Sequence, residues 1–298
     1  MQVGFIMTPV FDSVIAVFAV AVSAWLAFHL GRNLNSRIQA PLWLTFSSLL
    51  ASLFFCQFLS GQLFWAKYFP VSEALVWCNL APLLIGFSAG CFASLKQVRS
   101  RSRGIATAAF SALGVLFLTL PFVRPMLFPA NVELSARPKG ELFLQTHEST
   151  CAAASAATLL KMHGIEETEQ SMVRKCLTSN QGTEALGLFR GLKRATRQSD
   201  KSVHVGSRNP KDWMQKSQLP NVSLVNFDEN EFATDARHSL RRPTRFLGLS
   251  DAQGHAVVVM DYHEGNWLIG DPAVGMVVWS DEQFNHRFTG DSIFLSKR

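Results

Sequence analysis

Apolar positions crowd the first 125 residues of this 298-residue chain and thin out afterwards. Four long apolar stretches, almost free of charge, run from about Val14 to Leu30, from Leu42 to Trp65, from about Ala74 to Leu95 and from Ile105 to Val123. Each is near the roughly 20 residues that an α-helix needs to cross the hydrocarbon core of a bilayer. Four such runs in succession predict a membrane-spanning unit over residues 1–125 rather than the buried core of a large soluble domain. The first stretch lacks the basic start and small-residue cleavage site of a secretory signal peptide, so it is expected to stay as a span.

The pattern then changes. Residues 126–139, broken by Pro129 and Pro138, read as a linker. Helical periodicity follows over about 150–163, 168–177 and 183–197, with Gly164 ending the first. After these come short apolar or alternating runs separated by turn residues: Val203 to Val205, Val222 to Phe227, Phe246 to Leu249, His255 to Tyr262, Trp267 to Ile269 and Met276 to Trp279. Helices first and strands after make residues 140–298 an α+β domain in which a helical half faces an antiparallel sheet.

Charge separates the two parts and orients the first. Residues 1–139 carry 10 Lys/Arg against 3 Asp/Glu, whereas residues 140–298 carry 18 against 19. The excess positive charge therefore sits beside the apolar stretches. Arg32 and Arg37 lie between the first and second, and Lys96, Arg99, Arg101 and Arg103 between the third and fourth; the N-terminal tail has neither Lys nor Arg, and the loop between the second and third has only Lys67. Basic loops remain cytoplasmic. This places the N-terminus and, after four crossings, the C-terminal domain outside the cytoplasm of a bacterial inner membrane. The near-neutral domain offers no nucleic-acid signature: Arg190, Lys193, Arg194 and Arg197 lack interleaved aromatics and read as a solvated helix face. Neither a phosphate-binding loop nor a His-Glu-x-x-His pair occurs, and no metal or cofactor is expected.

Four residues of the domain are candidates for chemistry. Gln145 leads into Ser149-Thr150-Cys151, and the alanine-rich run after it places Cys151 in the first turn of a helix with Ser149 or Thr150 as its cap. A helix N-terminus favours the thiolate, the nucleophilic form. Cys176, the other cysteine of the domain, reads as a buried structural thiol. About a hundred residues on, His255 opens an apolar strand, and the turn at His263-Glu264-Gly265-Asn266 brings Asp271 back towards that strand's start. Asp261 sits near the far end of His255's own strand, roughly 20 Å off by strand rise, and is a poor partner. His147 precedes the helix, and His263 belongs to the turn. A cysteine at a helix start, with a histidine on a distant strand, is the arrangement of papain-like thiol enzymes.

These residues resemble the bacteriocin-processing C39 peptidases. Gln145 stands six residues before Cys151; Gly254-His255-Ala256-Val257-Val258-Val259 and Gly270-Asp271-Pro272-Ala273-Val274-Gly275 match the family's later blocks, and Gly182-Thr183-Glu184-Ala185 its Gly-Thr segment. The resemblance covers roughly residues 140–298. It departs at Thr150-Cys151-Ala152, where the family usually carries Asp-Cys-Gly. It implies a cysteine peptidase in which Cys151 is the nucleophile, His255 the base, Asp271 the orienting carboxylate and Gln145 an oxyanion donor. It also implies cleavage after small residues such as Gly-Gly, with a peptide or protein as substrate and a separate transporter or other membrane partner, since the exporter ATPase is not in this chain. Two other readings stand beside it: a silent peptidase-like module that binds a peptide for export or signalling, and a cell-wall amide hydrolase or acyltransferase.

Overall fold

The structure, a computed structural model, describes residues 9–34, 39–132, 140–227 and 253–298. The chain forms two compact units, one of Met1–Gln62 with Glu73–Val123 and the other of Leu63–Ser72 with Arg124–Arg298.

In the first unit, α1 is Pro9–Arg32. The next helix, α2, is Gln39–Phe54 and runs on as a π-helical turn, Phe55–Leu59. Among the described residues four helical stretches, the third of them interrupted, are long and apolar enough to cross a membrane. Phe18, Trp43, Phe46, Ile105 and Val115 are all exposed. A helix in water turns polar residues outward, so these apolar outer faces suit lipid. The third stretch is not the single helix expected from its composition. It breaks into α4, Ala74–Trp77, and α5, Ala81–Ala93, with Pro82 in the first turn of α5. Asn79 fills the break: its Oδ1 accepts from the Ala81 N–H at 3.3 Å, and its Nδ2 donates to the Phe117 carbonyl at 3.0 Å. Proline has no N–H to continue the ladder, and the asparagine satisfies groups that the interruption frees. The fourth stretch is α6, Ser100–Leu127. Close contact of α1 with α5 requires glycine at 90, where a Cβ would run into the Phe28 carbonyl oxygen.

The second unit opens with α3, Trp65–Tyr68, which packs against α9, Ala185–Ala195, and β1, Lys201–Val205. Leu63 and Ala66 are buried there. Of the residues read as a linker, Met126 and Leu127 complete α6, the Phe128 carbonyl accepts from the Asn180 N–H at 2.9 Å, and 133–139 lie outside the described residues. Two further helices, α7 (Cys151–Met162) and α8 (Glu169–Lys175), lie with α9 close to their expected positions.

A six-stranded sheet follows, with every pairing antiparallel and the order β1-β6-β2-β3-β4-β5. Here β2 is Asn221–Phe227, β3 Gln253–His263, β4 Asn266–Asp271, β5 Gly275–Ser280 and β6 Phe288–Lys297. The unit is α+β, helices first and sheet after. The strand expected at Phe246 to Leu249 lies outside the described residues. β6 was not expected at all, although it sits inside the sheet between β1 and β2. Its start, Thr289-Gly290-Asp291, has the composition of a turn, and Gly290 is at φ 90°, where the β2 pairing shifts register. Two short helices, α10 (Lys211–Gln215) and α11 (Asp281–Arg287), cover an aromatic core of Trp213, Trp267, Trp279 and Phe284.

Candidate active site

α7 begins at Cys151, and its first ten residues are all buried. Its alanines let the helix lie close to the sheet, where contact with β3 is extensive. One turn after Cys151, the buried Ser155 hydroxyl donates to the Ala256 carbonyl at 2.9 Å. That bond ties the cysteine's helix to the residue next to His255. The expected side-chain cap is not made at Thr150, the N-cap residue, and the Ser149 hydroxyl lies 2.9 Å from His147 Nδ1. The Thr150 hydroxyl instead donates to Glu169 at 2.6 Å.

His255 and Asp271 stand on adjacent strands. Val258 pairs with Gly270, so Asp271 is level with Val257 and diagonal to His255 on one face of the sheet. His255 Nε2 donates to Asp271 Oδ1 at 2.9 Å, with both side chains buried. The same oxygen accepts the Ala273 N–H at 2.8 Å, which fixes the carboxylate in the turn after β4. With Nε2 engaged, Nδ1 is the ring nitrogen left for the hydrogen bond that His255 also makes with the Cys151 side chain. Burial opposes charge on the ring, yet the Asp271 carboxylate and the Cys151 thiolate outweigh it and raise His255 to about 10. The structure therefore brings three of the four expected residues into one line: the Asp271 carboxyl, the His255 ring and the Cys151 sulfur.

Gln145 joins them through its backbone. Its N–H donates to the Pro272 carbonyl at 2.8 Å, directly after Asp271. Its side-chain Oε1 is buried without a hydrogen-bond partner. The other histidine near the nucleophile, His147, is engaged locally, with Nδ1 2.9 Å from Ser149 Oγ. Asp261 and His263 belong to the distant hairpin end of β3; the Asp261 carboxylate accepts from the Tyr262 N–H at 2.8 Å, and the His263 side chain is exposed.

Cys176 is buried, and its thiol is pushed up to about 12 by desolvation. Gly187 and Gly191 of α9 pack directly on it. Arg190 does not belong to a solvated face: it is buried and donates to the Lys175 carbonyl at 2.6 Å. It spends its charge on a helix-terminal carbonyl of α8. A residue that sequence reasoning missed is Glu169, buried at the start of α8. It resembles any acidic residue of a helix's first turn, and its partners lie some twenty positions earlier in the chain.

Residues 218–298 match the model of the Peptidase C39 family. That segment holds His255 and Asp271, while Gln145 and Cys151 precede it. The second unit is therefore C39 peptidase-like in its C-terminal part. Solved structures similar to this chain include the peptidase domain of Streptococcus ComA, a bi-functional ABC transporter involved in a quorum sensing pathway; the identity is 21%, the match covers 53% of this chain and 98% of that one, and the TM-score is 0.39. Another is a double glycine motif protease from an AMS/PCAT transporter in complex with its leader peptide, at 20% identity, 57% and 95% coverage and a TM-score of 0.40. No curated protein matches the chain.

Proposed function

We propose that the second unit is a cysteine peptidase and that the first unit holds it in a membrane. The observation that carries this reading is the His255 ring held between the Asp271 carboxylate and the Cys151 side chain. The Cys151 thiolate attacks a peptide carbonyl carbon and forms a C–S bond. The resulting oxyanion takes hydrogen bonds from the Cys151 N–H and the Gln145 side-chain amide. His255 passes its Nδ1 proton to the departing amine as the C–N bond breaks. It then takes a proton from water, which attacks the thioester and releases the acid and Cys151. Asp271 orients the ring and stabilises its charged form throughout. Similarity to the C39 family supports an extended peptide with small residues such as Gly-Gly before the cut. It also supports a separate transporter as partner.

Four apolar helices support a multi-pass anchor in the bacterial inner membrane. Residues 63–72, from the end of the second apolar stretch towards the third, fold with the second unit. A loop packed on that unit shares its side of the bilayer, so the chain crosses an even number of times between Ser72 and Arg124. The basic loops before the second stretch and before the fourth favour a peptidase outside the cytoplasm. A reporter active only outside the cytoplasm should be active when fused after Arg298 and silent when inserted near Arg101. The reverse pattern would put the peptidase in the cytoplasm.

The thiol chemistry is tested by alkylation of the folded full chain in detergent. At neutral pH, iodoacetamide should modify Cys151 at least about tenfold faster than Cys176, because only a thiolate reacts and burial holds Cys176 as the thiol. Equal or inverted labelling would sink the assignment of Cys151 as nucleophile.

A further inference from the structure

We propose that Glu169 is a positioning residue that sets the two oxyanion donors, an inference that rests on the peptidase reading above. Glu169 is a buried carboxylate at the start of α8. Three hydrogen bonds converge on it. The Thr146 N–H donates to Oε1 and the Thr146 hydroxyl to Oε2, both at 2.9 Å, and the Thr150 hydroxyl, whose proton the His147 carbonyl at 2.7 Å can share, lies 2.6 Å from Oε1. These donors flank the chemistry on both sides. Thr146 follows Gln145, and its N–H lies in the peptide plane that joins the two residues. Thr150 precedes Cys151, and its carbonyl shares a peptide plane with the Cys151 N–H. One side chain thus sets the spacing between the residue bearing the amide donor and the residue bearing the backbone donor.

The nucleophile itself is held by other means. Cys151 belongs to α7, which the Ser155–Ala256 bond ties to β3, and its side chain is hydrogen-bonded to His255. Gln145 has less support. Besides the bond from its N–H to Pro272, its side-chain oxygen has no hydrogen-bond partner, so the aim of the amide follows its backbone. Loosening the Glu169 clamp therefore weakens the oxyanion donors more than the thiolate. Oxyanion donors act only when placed to within tenths of an ångström of the developing charge.

Two probes on the full chain separate these effects. Iodoacetamide loses iodide as Cys151 Sγ bonds to its methylene carbon, and no oxyanion forms. Acetyl-glycyl-glycinal adds Cys151 Sγ to its aldehyde carbon, and the aldehyde oxygen, which takes a proton in the hemithioacetal, occupies the place of the oxyanion. Glu169→Gln, which keeps the shape but points an amide N–H2 at the threonine donors, should weaken aldehyde capture about tenfold or more. Its alkylation of Cys151 should stay within about twofold of the wild type. Thr150→Val, isosteric and lacking one of the three bonds, should move the aldehyde affinity the same way by less, and it decides the matter if Glu169→Gln does not fold. Capture by both variants as tight as by the wild type would overturn the positioning role and leave the peptidase reading standing. An equal fall for both probes would make Glu169 a structural pin and also overturn it. Failure of the wild type to capture the aldehyde would overturn the carbonyl chemistry, and this proposal with it.

Discussion

Cys151→Ala is expected to lower peptide hydrolysis by about four orders of magnitude or more while the fold survives. Loss of a covalent nucleophile removes the whole reaction path, and residual rate comes only from binding and oxyanion contacts. The structural change is small. Cys151 is buried among alanines at the start of α7, and removing one sulfur there costs about 1 kcal/mol. The melting temperature should fall by only about 2–8 °C. Loss of the thiolate also removes one of the two negative partners that raise His255. A peptide with a Gly-Gly pair should therefore still bind the variant and remain uncut. If the variant cleaves at the wild-type rate, the nucleophile lies elsewhere. If a natural partner binds both forms, neither cleaves it and the variant keeps the cellular phenotype, the chain is a binding module.

Asp271→Asn should lower kcat/KM by about two to four orders of magnitude and move the alkaline limb of the pH profile down. The Asp271 carboxylate accepts from both His255 Nε2 and the Ala273 N–H. An amide keeps the size but not the charge, and it can present an N–H2 to one of these donors. The sign of the pH effect follows from the raised His255. Its protonated form is favoured in the folded protein, so the stability it contributes is complete below the ordinary value of 6.5 and is lost as pH rises through about 10. The proton needed by the leaving amine disappears over the same range. Wild-type activity should hold well above pH 6.5, and the variant's alkaline limb should move from near 10 towards 6.5. An unchanged limb would show that Asp271 does not govern the imidazole.

The elements around the site were legible because local signals agreed there. An alanine-rich run after Cys151 gave α7, and apolar strands around a Glu264-Gly265 turn gave the β3–β4 hairpin that sets Asp271 against His255. What sequence reasoning missed depends on partners distant in the chain. A threonine before a helix reads as a cap, but the Thr150 hydroxyl goes to Glu169 because a buried carboxylate needs its donors. Arg190 reads as one of four basic residues on a surface until the Lys175 carbonyl claims it. β6 carries turn residues at its start and an apolar run of only three, Ile293-Phe294-Leu295, and its neighbours β1 and β2 extend it to a ten-residue strand. Composition also could not place the break in the third apolar stretch, because Pro82 is compatible both with a kinked helix and with a new first turn.

The central claim is a thioester on Cys151, and the most direct measurement is the intact mass of the full chain quenched in acid while it turns over an activated acyl-Gly-Gly ester. Wild-type protein should gain the mass of the acyl group on the peptide that contains Cys151, at a level that rises with ester concentration and disappears in Cys151→Ala. Turnover with no adduct on Cys151, or an adduct of equal size in Cys151→Ala, would contradict it.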